Sequence, residues 1–251
     1  MYVTRIALAG GAAVAAGFVN AIAGGGSLIS FPALVALGLP AVAASATNTV
    51  ALCPGYLGAT LAQRKDLANQ RDRMIRTLPV AAIGGVGGAL LLLGTGEAAF
   101  GAIVPFLILV SAVLLGAQDV IKRRLLGRTH RAHEVALALP VLFAATYGGY
   151  FGAGMGVMIL AALAICVDDA LPRLNALKQT ISLVVNVAAA IVFACSPATE
   201  WSLVPVMMIG ALLGGVVGGL LAARIRPDLL RAAIVVLGVG VSIVYFVRLF
   251  G

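Results

Sequence analysis

The chain has 251 residues, of which 62% are apolar and 10% charged, and its mean hydropathy is +1.11. Because soluble domains carry about 25% charged residues, 17 basic and 9 acidic side chains are too few to cover a water-facing surface. The composition therefore predicts an integral membrane protein, and it excludes the interpretation of the +8 net charge as a nucleic-acid-binding surface.

The apolar segments predict an all-α membrane fold. Two regions, 4–38 and 135–167, each hold an apolar stretch, a cluster of glycines and a shorter apolar stretch of about a dozen residues, which spans only ~18 Å as a helix. We name the two clusters the first glycine break (residues 24–27) and the second glycine break (residues 152–156). Both regions are predicted to be broken helical hairpins, either re-entrant or crossing the bilayer. Six further segments are long enough to span a hydrocarbon core of about 30 Å: 41–62, 78–94, 98–118, 172–195, 202–223 and 232–249.

The basic residues predict the orientation. Thirteen of the 17 cations lie in three predicted loops, and loops rich in Lys and Arg stay cytoplasmic. Both termini are therefore predicted on the periplasmic side, and Trp201 is predicted near a membrane boundary. The thirteen are Arg64, Lys65, Arg71, Arg73 and Arg76 in the first loop, Lys122, Arg123, Arg124, Arg128 and Arg131 in the second, and Arg224, Arg226 and Arg231 in the third. The second loop also holds His130 and His133, for which solvation or headgroup contact is favoured over metal binding.

An internal repeat appears when the sequence is compared with itself at an offset of 130 residues. Gly24 and Gly26 then match Gly154 and Gly156, and the segment 84–90 matches 214–220. The predicted units are a first repeat (1–120), a basic cytoplasmic linker (121–134) and a second repeat (135–251). Each unit crosses the membrane an odd number of times, so the second copy is predicted to be inverted, as in many secondary transporters.

Three glycine pairs in the repeat have the GxxxG spacing that brings helix backbones close together. They are Gly84/Gly88, Gly214/Gly218 and Gly215/Gly219, and we interpret them as packing positions. Cys53, Cys166 and Cys195 are likewise interpreted as small apolar packing residues, because none lies in a metal-binding or redox spacing.

Polar side chains follow one face of the predicted helix 172–195, at steps of three, four and seven residues. They are Asn175, Lys178, Gln179, Ser182 and Asn186, and the repeat-equivalent positions in helix 41–62 hold Ser45, Asn48, Thr49, Leu52 and Tyr56. Both polar stripes follow a glycine break directly, so we expect breaks and stripes to face one cavity. Lys178 is the only cation deep inside a predicted span, since Arg173 and Arg248 each lie one residue from a span end. This position favours a functional role, although its side chain could instead reach the headgroup region.

The residue types in this predicted cavity favour an oxyanion. No acidic residue lies deep in a predicted span, whereas amide, hydroxyl and ammonium groups suit an anion. A half-helix that begins at Ser27 or Val157 would direct its positive N-terminus at the same place, although a tight hairpin without a ligand is the alternative. The predicted site comprises Gly24, Gly25, Gly26, Ser27, Ser45, Asn48, Thr49, Tyr56, Gly154, Gly156, Asn175, Lys178, Gln179, Ser182 and Asn186.

We therefore predict a secondary transporter of a small oxyanion that works by alternating access. An anion channel and a non-transporting membrane subunit are the alternatives. The sequence contains no nucleophile–base pair, metal-ligand set or nucleotide-binding loop, so neither enzyme activity nor a cofactor is predicted. The predicted partners are the anionic substrate and the lipid bilayer, and a homo-oligomer is compatible with the sequence.

The two halves resemble the TauE/SafE-type sulfite and organosulfonate exporters. In the first half the resemblance rests on Gly24–Leu28, Leu37–Pro40 and Ala46–Asn48, and in the second on Gly152–Gly156, Leu174–Lys178 and Val185–Asn186. It covers almost the whole chain. It implies a bacterial inner-membrane carrier of sulfur-containing anions such as sulfite or sulfonates, in a family whose members differ in substrate and direction. Ser27 of the first break corresponds to Val157 in the second, a departure from exact repetition.

Overall fold

The computed structural model describes residues 2–22, 24–125, 137–221 and 227–250, and this part of the chain contains ten α-helices and no strand. The predicted all-α fold is confirmed. The helices are α1 (Tyr2–Ile22), α2 (Ser27–Ala36), α3 (Ala41–Ala62), α4 (Arg71–Thr95), α5 (Glu97–Leu125), α6 (Ala138–Tyr150), α7 (Met155–Cys166), α8 (Leu171–Ala194), α9 (Val204–Leu221) and α10 (Pro227–Phe250), with a short 3-10 helix at Arg64–Leu67.

Both predicted hairpins are broken at their glycines. Gly24 and Gly25 have φ values of 75° and 87°, and Gly152 and Gly154 have values of 82° and 79°. A side chain is strained at such angles, whereas glycine adopts them readily, so the chain leaves one helix and begins the next within a few residues. The second half-helix begins at Met155, two residues earlier than predicted.

Five helices in the described ranges are long and apolar enough to cross a membrane: Val3–Ile22, Arg71–Thr95, Glu97–Ile121, Leu171–Ala194 and Asp228–Val247. Four of them correspond to predicted spans, and the first shows that the arm before the first break is long enough to cross by itself. Two predicted spans are not among the five. The segment 41–62 is the 22-residue helix α3, whose polar stripe lowers its hydropathy, and the apolar helix found within 202–223, Val204–Gly218, is shorter than the five spans.

The contacts between helices follow the offset of 130 residues. Helix α1 packs along α9, and its counterpart α6 packs along α4. In the same way α8 packs on α4 while α3 packs on α9, and α3 contacts α8. The first helix of each half is therefore bound to the fourth helix of the other half. The opposite membrane orientation of the two halves stays a prediction.

The interpretation of the glycine pairs as packing positions is confirmed for Gly84/Gly88 and Gly214/Gly218. A Cβ at Gly88 would lie 2.1 Å from the carbonyl oxygen of Thr146 in α6, and one at Gly214 would lie 2.0 Å from that of Val14 in α1. Such distances are impossible for real atoms, so the backbones touch only because both positions lack a side chain.

Several sequence-based assignments are wrong. Arg71, Arg73 and Arg76 are predicted in a loop but lie in the first turns of α4, and the residues 122–124 of the second predicted loop belong to α5. Arg231 was placed in a loop, but α10 begins at Pro227, a residue well suited to the first turn of a helix, and Arg231 is buried at 7% exposure. The predicted linker 121–134 begins too early, because α5 continues to Leu125; its remainder, with His130 and His133, lies outside the described residues. Cys195 is exposed and therefore does not serve as a packing residue, whereas Cys166 is buried.

Candidate functional site

A small cavity of about 30 Å³ lies where the two glycine breaks meet. It has room for about one water molecule, and it takes its walls from both hairpins and from α3, α5 and α8. The lining residues are Asn20, Gly24, Gly25, Ser27, Tyr56, Gln118, Gly152, Ala153, Gly154, Gly156, Val157, Lys178, Gln179 and Ser182. Each break thus contributes several residues to one cavity, as the sequence predicted.

A larger vestibule of about 430 Å³ continues from this cavity. The two share Asn20, Gly24, Gln118, Lys178 and Gln179. The outer part of the vestibule is lined by Gln63 beyond the end of α3, by Leu171 at the start of α8 and by Arg231 near the start of α10. These helix ends adjoin the basic segments of the chain, so the vestibule opens on the side that the sequence predicts to be cytoplasmic.

Close backbone packing shapes the first glycine break. A Cβ at Gly26 would lie 2.2 Å from the carbonyl oxygen of Ala16 in α1, and one at Gly25 would lie 2.9 Å from a methyl group of Leu115 in α5. Gly26 therefore holds α2 against α1 and does not line the cavity. Helix α2 begins at Ser27 without a side-chain cap on its N-terminus. The N–H groups of Leu28 and Ile29 donate to the carbonyl oxygens of Gly25 and Gly26, so this helix start borders the cavity mainly with the partial positive charge of the helix dipole.

The second glycine break is held by hydrogen bonds from two other helices. The carbonyl oxygen of Ala153 accepts hydrogen bonds from the hydroxyl groups of Ser111 in α5, at 2.9 Å, and Tyr147 in α6, at 2.8 Å. These two hydroxyls also lie 2.7 Å from each other. Gly154 is the N-cap of α7 and again provides no side-chain cap. Two uncapped helix N-termini therefore meet at one cavity, an arrangement that favours a negative charge there.

Helix α8 supplies the only charged side chain of the small cavity within the described part of the chain, that of Lys178. Its aliphatic portion passes Gly156, where a Cβ would be 3.8 Å from Cδ. One turn further, the hydroxyl of Ser182 is buried and has no hydrogen-bond partner, and the same is true of the carboxamide oxygen of Gln118 across the cavity. Both groups are available to a bound molecule or to water.

The vestibule carries more charge than the small cavity, but its charges are balanced. Arg231 forms an ion pair with Asp119 in α5 and lies 3.7 Å from Asp228 in its own helix. Lys178 and Arg231 share the vestibule with Asp119 and Asp228, whereas Lys178 is the one charged residue among the described residues that line the small cavity.

The two predicted polar stripes do not share the cavity equally. Lys178, Gln179 and Ser182 of α8 line the cavity, Asn175 lies in the vestibule with its amide 2.9 Å from Gln63, and Asn186 donates to the carbonyl of Ser182. Of the α3 stripe only Tyr56 reaches the cavity. Ser45, Asn48 and Thr49 are buried elsewhere, so the expectation that both stripes line one cavity is wrong in this conformation.

Sequence reasoning missed four residues that contribute to the site: Asn20, Ser111, Gln118 and Tyr147. Ser111 and Gln118 are separated by seven residues in α5, and Leu115 between them contacts Gly25. This spacing puts all three on one face of the helix. A search for polar residues at helical spacing inside the most apolar span could have found two of them.

The described residues contain no group of three or more His, Cys, Asp or Glu side chains that could hold a metal ion. The cavity instead offers one ammonium group, hydroxyls, amides and helix N-termini. These groups bind an anion by charge and hydrogen bonds, and they provide no general base beside a nucleophile.

Comparison with known proteins gives one family. The family model described as "Sulfite exporter TauE/SafE" matches residues 9–245. A "probable membrane transporter protein" of Haemophilus influenzae is 31% identical over 88% of this chain and 87% of its own length. The Escherichia coli K12 "probable membrane transporter protein YfcA" is 27% identical over 92% and 85%, and a Sinorhizobium protein of the same description, ORF9, is 28% identical over 92% and 88%. No solved structure matches the chain.

Proposed function

Because this chain belongs to the sulfite exporter TauE/SafE family, and is thus a membrane transporter and not an enzyme, we propose that it moves a small sulfur-containing oxyanion, such as sulfite or a sulfonate. The proposed site is the cavity between the two glycine breaks, and the proposed location is the bacterial inner membrane with both termini on the periplasmic side. The observation that carries the proposal is the position of Lys178 beside two uncapped helix N-termini.

The chemistry of the cavity fits an oxyanion with several acceptor oxygens. The ammonium group of Lys178 supplies a full charge, and the N-termini of α2 and α7 supply partial positive charge. Ser27, Gln179 and Ser182 add hydroxyl and amide donors around the same space. A cation would find no carboxylate among the described residues that line the small cavity.

The one-sided vestibule supports alternating access. An anion could enter from the predicted cytoplasmic side, pass Arg231 and Asn175, and reach Lys178. On the opposite side, Ser45, Asn48 and Thr49 of the α3 stripe are buried. A carrier must close one side of its site while the other is open, and this conformation fits the inward-facing member of such a pair.

The test is sulfite uptake into liposomes that contain the purified protein. Lys178→Met keeps the length of the side chain and removes its charge, so we expect a loss of at least ~10-fold in uptake at subsaturating sulfite, the effect of losing a charge-assisted hydrogen bond. The control is Lys65→Met, which removes an exposed lysine from the 3-10 helix after α3. Equal uptake by the two variants would contradict the role of Lys178.

The same liposomes separate the proposal from its two alternatives. A carrier gives saturable uptake and exchanges internal for external sulfite, whereas an anion channel gives conductance that does not saturate. A non-transporting subunit would give neither. Uptake of an unrelated anion in place of sulfite and sulfonates would contradict the substrate class without contradicting transport.

A further inference from the structure

Four aromatic side chains form a compact cluster on the side of the glycine breaks away from the vestibule. They are Phe31 in α2, Phe100 in α5, Tyr150 at the end of α6 and Phe151 directly after it, and we name them the aromatic plug. Phe31 and Phe151 meet edge to face with ring centroids 5.2 Å apart, and Phe100 lies 5.4 Å from Tyr150 in the same geometry. The three phenylalanines are buried.

The position of the plug along α5 shows that it lies opposite the vestibule. Phe100 is in the first turn of this helix, and Gln118 is 18 residues further on, which corresponds to about 27 Å of helix. Between them Ser111 binds the second glycine break and Leu115 contacts the first. Helix α5 therefore passes from the plug, along the small cavity, to the vestibule.

The 130-residue offset relates the plug to the vestibule. Tyr150 corresponds to Asn20 and Phe151 to Ala21, and both of these smaller residues line the vestibule. Phe31 corresponds to Ala161, also a small residue. The first hairpin thus has an amide and a methyl group where the second hairpin has two aromatic rings, so the repeat-equivalent of the open vestibule is filled by the rings.

The α3 stripe lies on this closed side of the molecule. Asn175 and Lys178 line the vestibule, and their repeat equivalents are Ser45 and Asn48. Asn48 is buried and accepts a hydrogen bond of 2.5 Å from Ser30, the residue that precedes Phe31 of the plug. The hydrogen bond therefore ties the α3 stripe to the helix that carries part of the plug.

We propose that the aromatic plug is the outer gate of the transporter, and that Ser45 and Asn48 line the outer half of the anion path once the gate opens. This inference rests on the proposed alternating-access function. When the rings separate, the space that they occupy becomes the counterpart of the vestibule. The hydroxyl of Ser30, released from the carbonyl oxygen of Asn48, and the NH2 group of Asn48 then donate hydrogen bonds to the passing anion. Closure restores the ring contacts and the Ser30–Asn48 hydrogen bond.

The experiment measures the accessibility of two introduced cysteines at equivalent positions. In a background with Cys53, Cys166 and Cys195 replaced by alanine, Ser45→Cys reports on the closed side and Asn175→Cys on the vestibule. A membrane-impermeant maleimide is added either to intact cells or to inverted vesicles. We expect Asn175→Cys to react in inverted vesicles and Ser45→Cys to be protected in both preparations.

Opening the gate by mutation should expose Ser45→Cys from the outside. Phe151→Ala removes ring contacts with both Phe31 and Phe100, so we expect about 10-fold faster labelling in intact cells. The matched control is Phe106→Ala, which removes an equally large ring from the half-exposed face of α5. The gate is contradicted if Phe151→Ala labels no faster than Phe106→Ala, or if Ser45→Cys reacts from the same side as Asn175→Cys.

Two further measurements keep the result interpretable. Asn175→Cys in the Phe151→Ala background must still react in inverted vesicles and stay protected in intact cells, which shows that the fold and its sidedness are kept. If Phe151→Ala does not fold, Phe151→Leu removes the edge-to-face ring contacts with a smaller loss of volume. Its labelling rate is compared with that of Phe106→Ala in the same way. Labelling requires no substrate, so normal gating combined with absent sulfite uptake would contradict the proposed substrate class and leave the gate in place.

Discussion

Helices α3 and α8 occupy the same place in the two halves of the chain but are packed very differently. A Cβ at Gly85 of α4 would lie 2.7 Å from the carbonyl oxygen of Val185 in α8, whereas one at the equivalent Gly215 of α9 would lie 3.9 Å from the nearest atom of α3. An apolar pocket of about 270 Å³ lies between α3 and α9. Helix α8 is therefore packed tightly, and α3 has space beside it.

The polar stripes of the two helices differ in exposure: the tightly packed helix has the exposed stripe. Gln179 and Ser182 of the tightly packed α8 face the open cavity, whereas the side chain of Asn48 in the loosely packed α3 is bonded within the protein. Helix α3, which has space beside it, is thus the helix whose polar residues Ser45 and Asn48 are buried. Under the proposed alternating access, the helix that is tightly packed in this conformation, α8, is the one whose site residues are exposed to the cavity.

The strongest test of this comparison is to add one methyl group at each equivalent glycine. Gly85→Ala forces α4 and α8 apart, so we expect it to lower the free energy of unfolding by about 2 kcal/mol. Gly215→Ala meets only ordinary contact distances and should change it by no more than about 0.5 kcal/mol. Thermal unfolding of the two purified variants in detergent measures the difference. Equal destabilisation would show that α3 and α8 are packed alike in solution.

The sequence predicted much of this scaffold because its signals are local. Gly84 and Gly88 are recognisable from their spacing alone, and Gly24 and Gly154 from the density of glycines around them. Arg231 was misplaced because the charge pattern suggested a loop, while its partner Asp119 is 112 residues away and invisible to any local pattern.

The candidate site was predicted only in part, for a related reason. Helical spacing tells which residues share a face, but it does not tell what that face meets. Asn48 and Lys178 occupy equivalent positions on equivalent stripes, yet one meets Ser30 and the other a cavity. Gln118 was missed because it lies at the end of a long apolar helix, where Ser111, seven residues earlier, is the one other polar residue that marks its role in the site. These contacts depend on the conformational state of the protein, and the sequence repeat does not specify which of the two halves is open.

The start of α8 gives a smaller and pH-dependent test. Asp169 precedes this helix and accepts hydrogen bonds from the N–H of Ala170, from Arg173 and from Arg73 of α4. Burial alone would raise the pKa of the Asp169 carboxyl, but the hydrogen bonds from the two arginines and the backbone outweigh it and lower the pKa below its ordinary value of 3.8. The charged form is therefore the one that stabilises the fold.

Replacement of this carboxylate should destabilise the protein at neutral pH. We expect Asp169→Asn to lower the free energy of unfolding by about 1 kcal/mol, and Asp168→Asn, which changes the exposed neighbour, to have no such effect. Since the folded-state pKa is lowered, the contribution is fully present above pH 3.8 and is lost as the pH falls through the folded-state value. Thermal unfolding of variant and wild type should converge only in that acidic range. A difference that already disappears near pH 6 would assign the effect to another group.

The start of α3 should respond least, because its cap is exposed. Glu97, the first residue of α5, accepts hydrogen bonds from the N–H groups of Ala41 and Val42, the latter at 3.0 Å. A carboxylate at a helix N-terminus interacts with the helix dipole, and Glu97→Gln keeps an acceptor oxygen while it removes the charge, so we expect a loss of about 0.5 kcal/mol. Glu200→Gln is the control, since that carboxylate accepts from the Ser202 hydroxyl and not from a helix N-terminus. The comparison predicts that Glu97→Gln costs less stability than Asp169→Asn, because α8 is tied to α4 by an ion pair at its start and α3 is held there by one exposed carboxylate. If Glu97→Gln proved the more costly change, the start of α3 would be the firmer anchor, and the predicted difference between the two helix starts would be wrong.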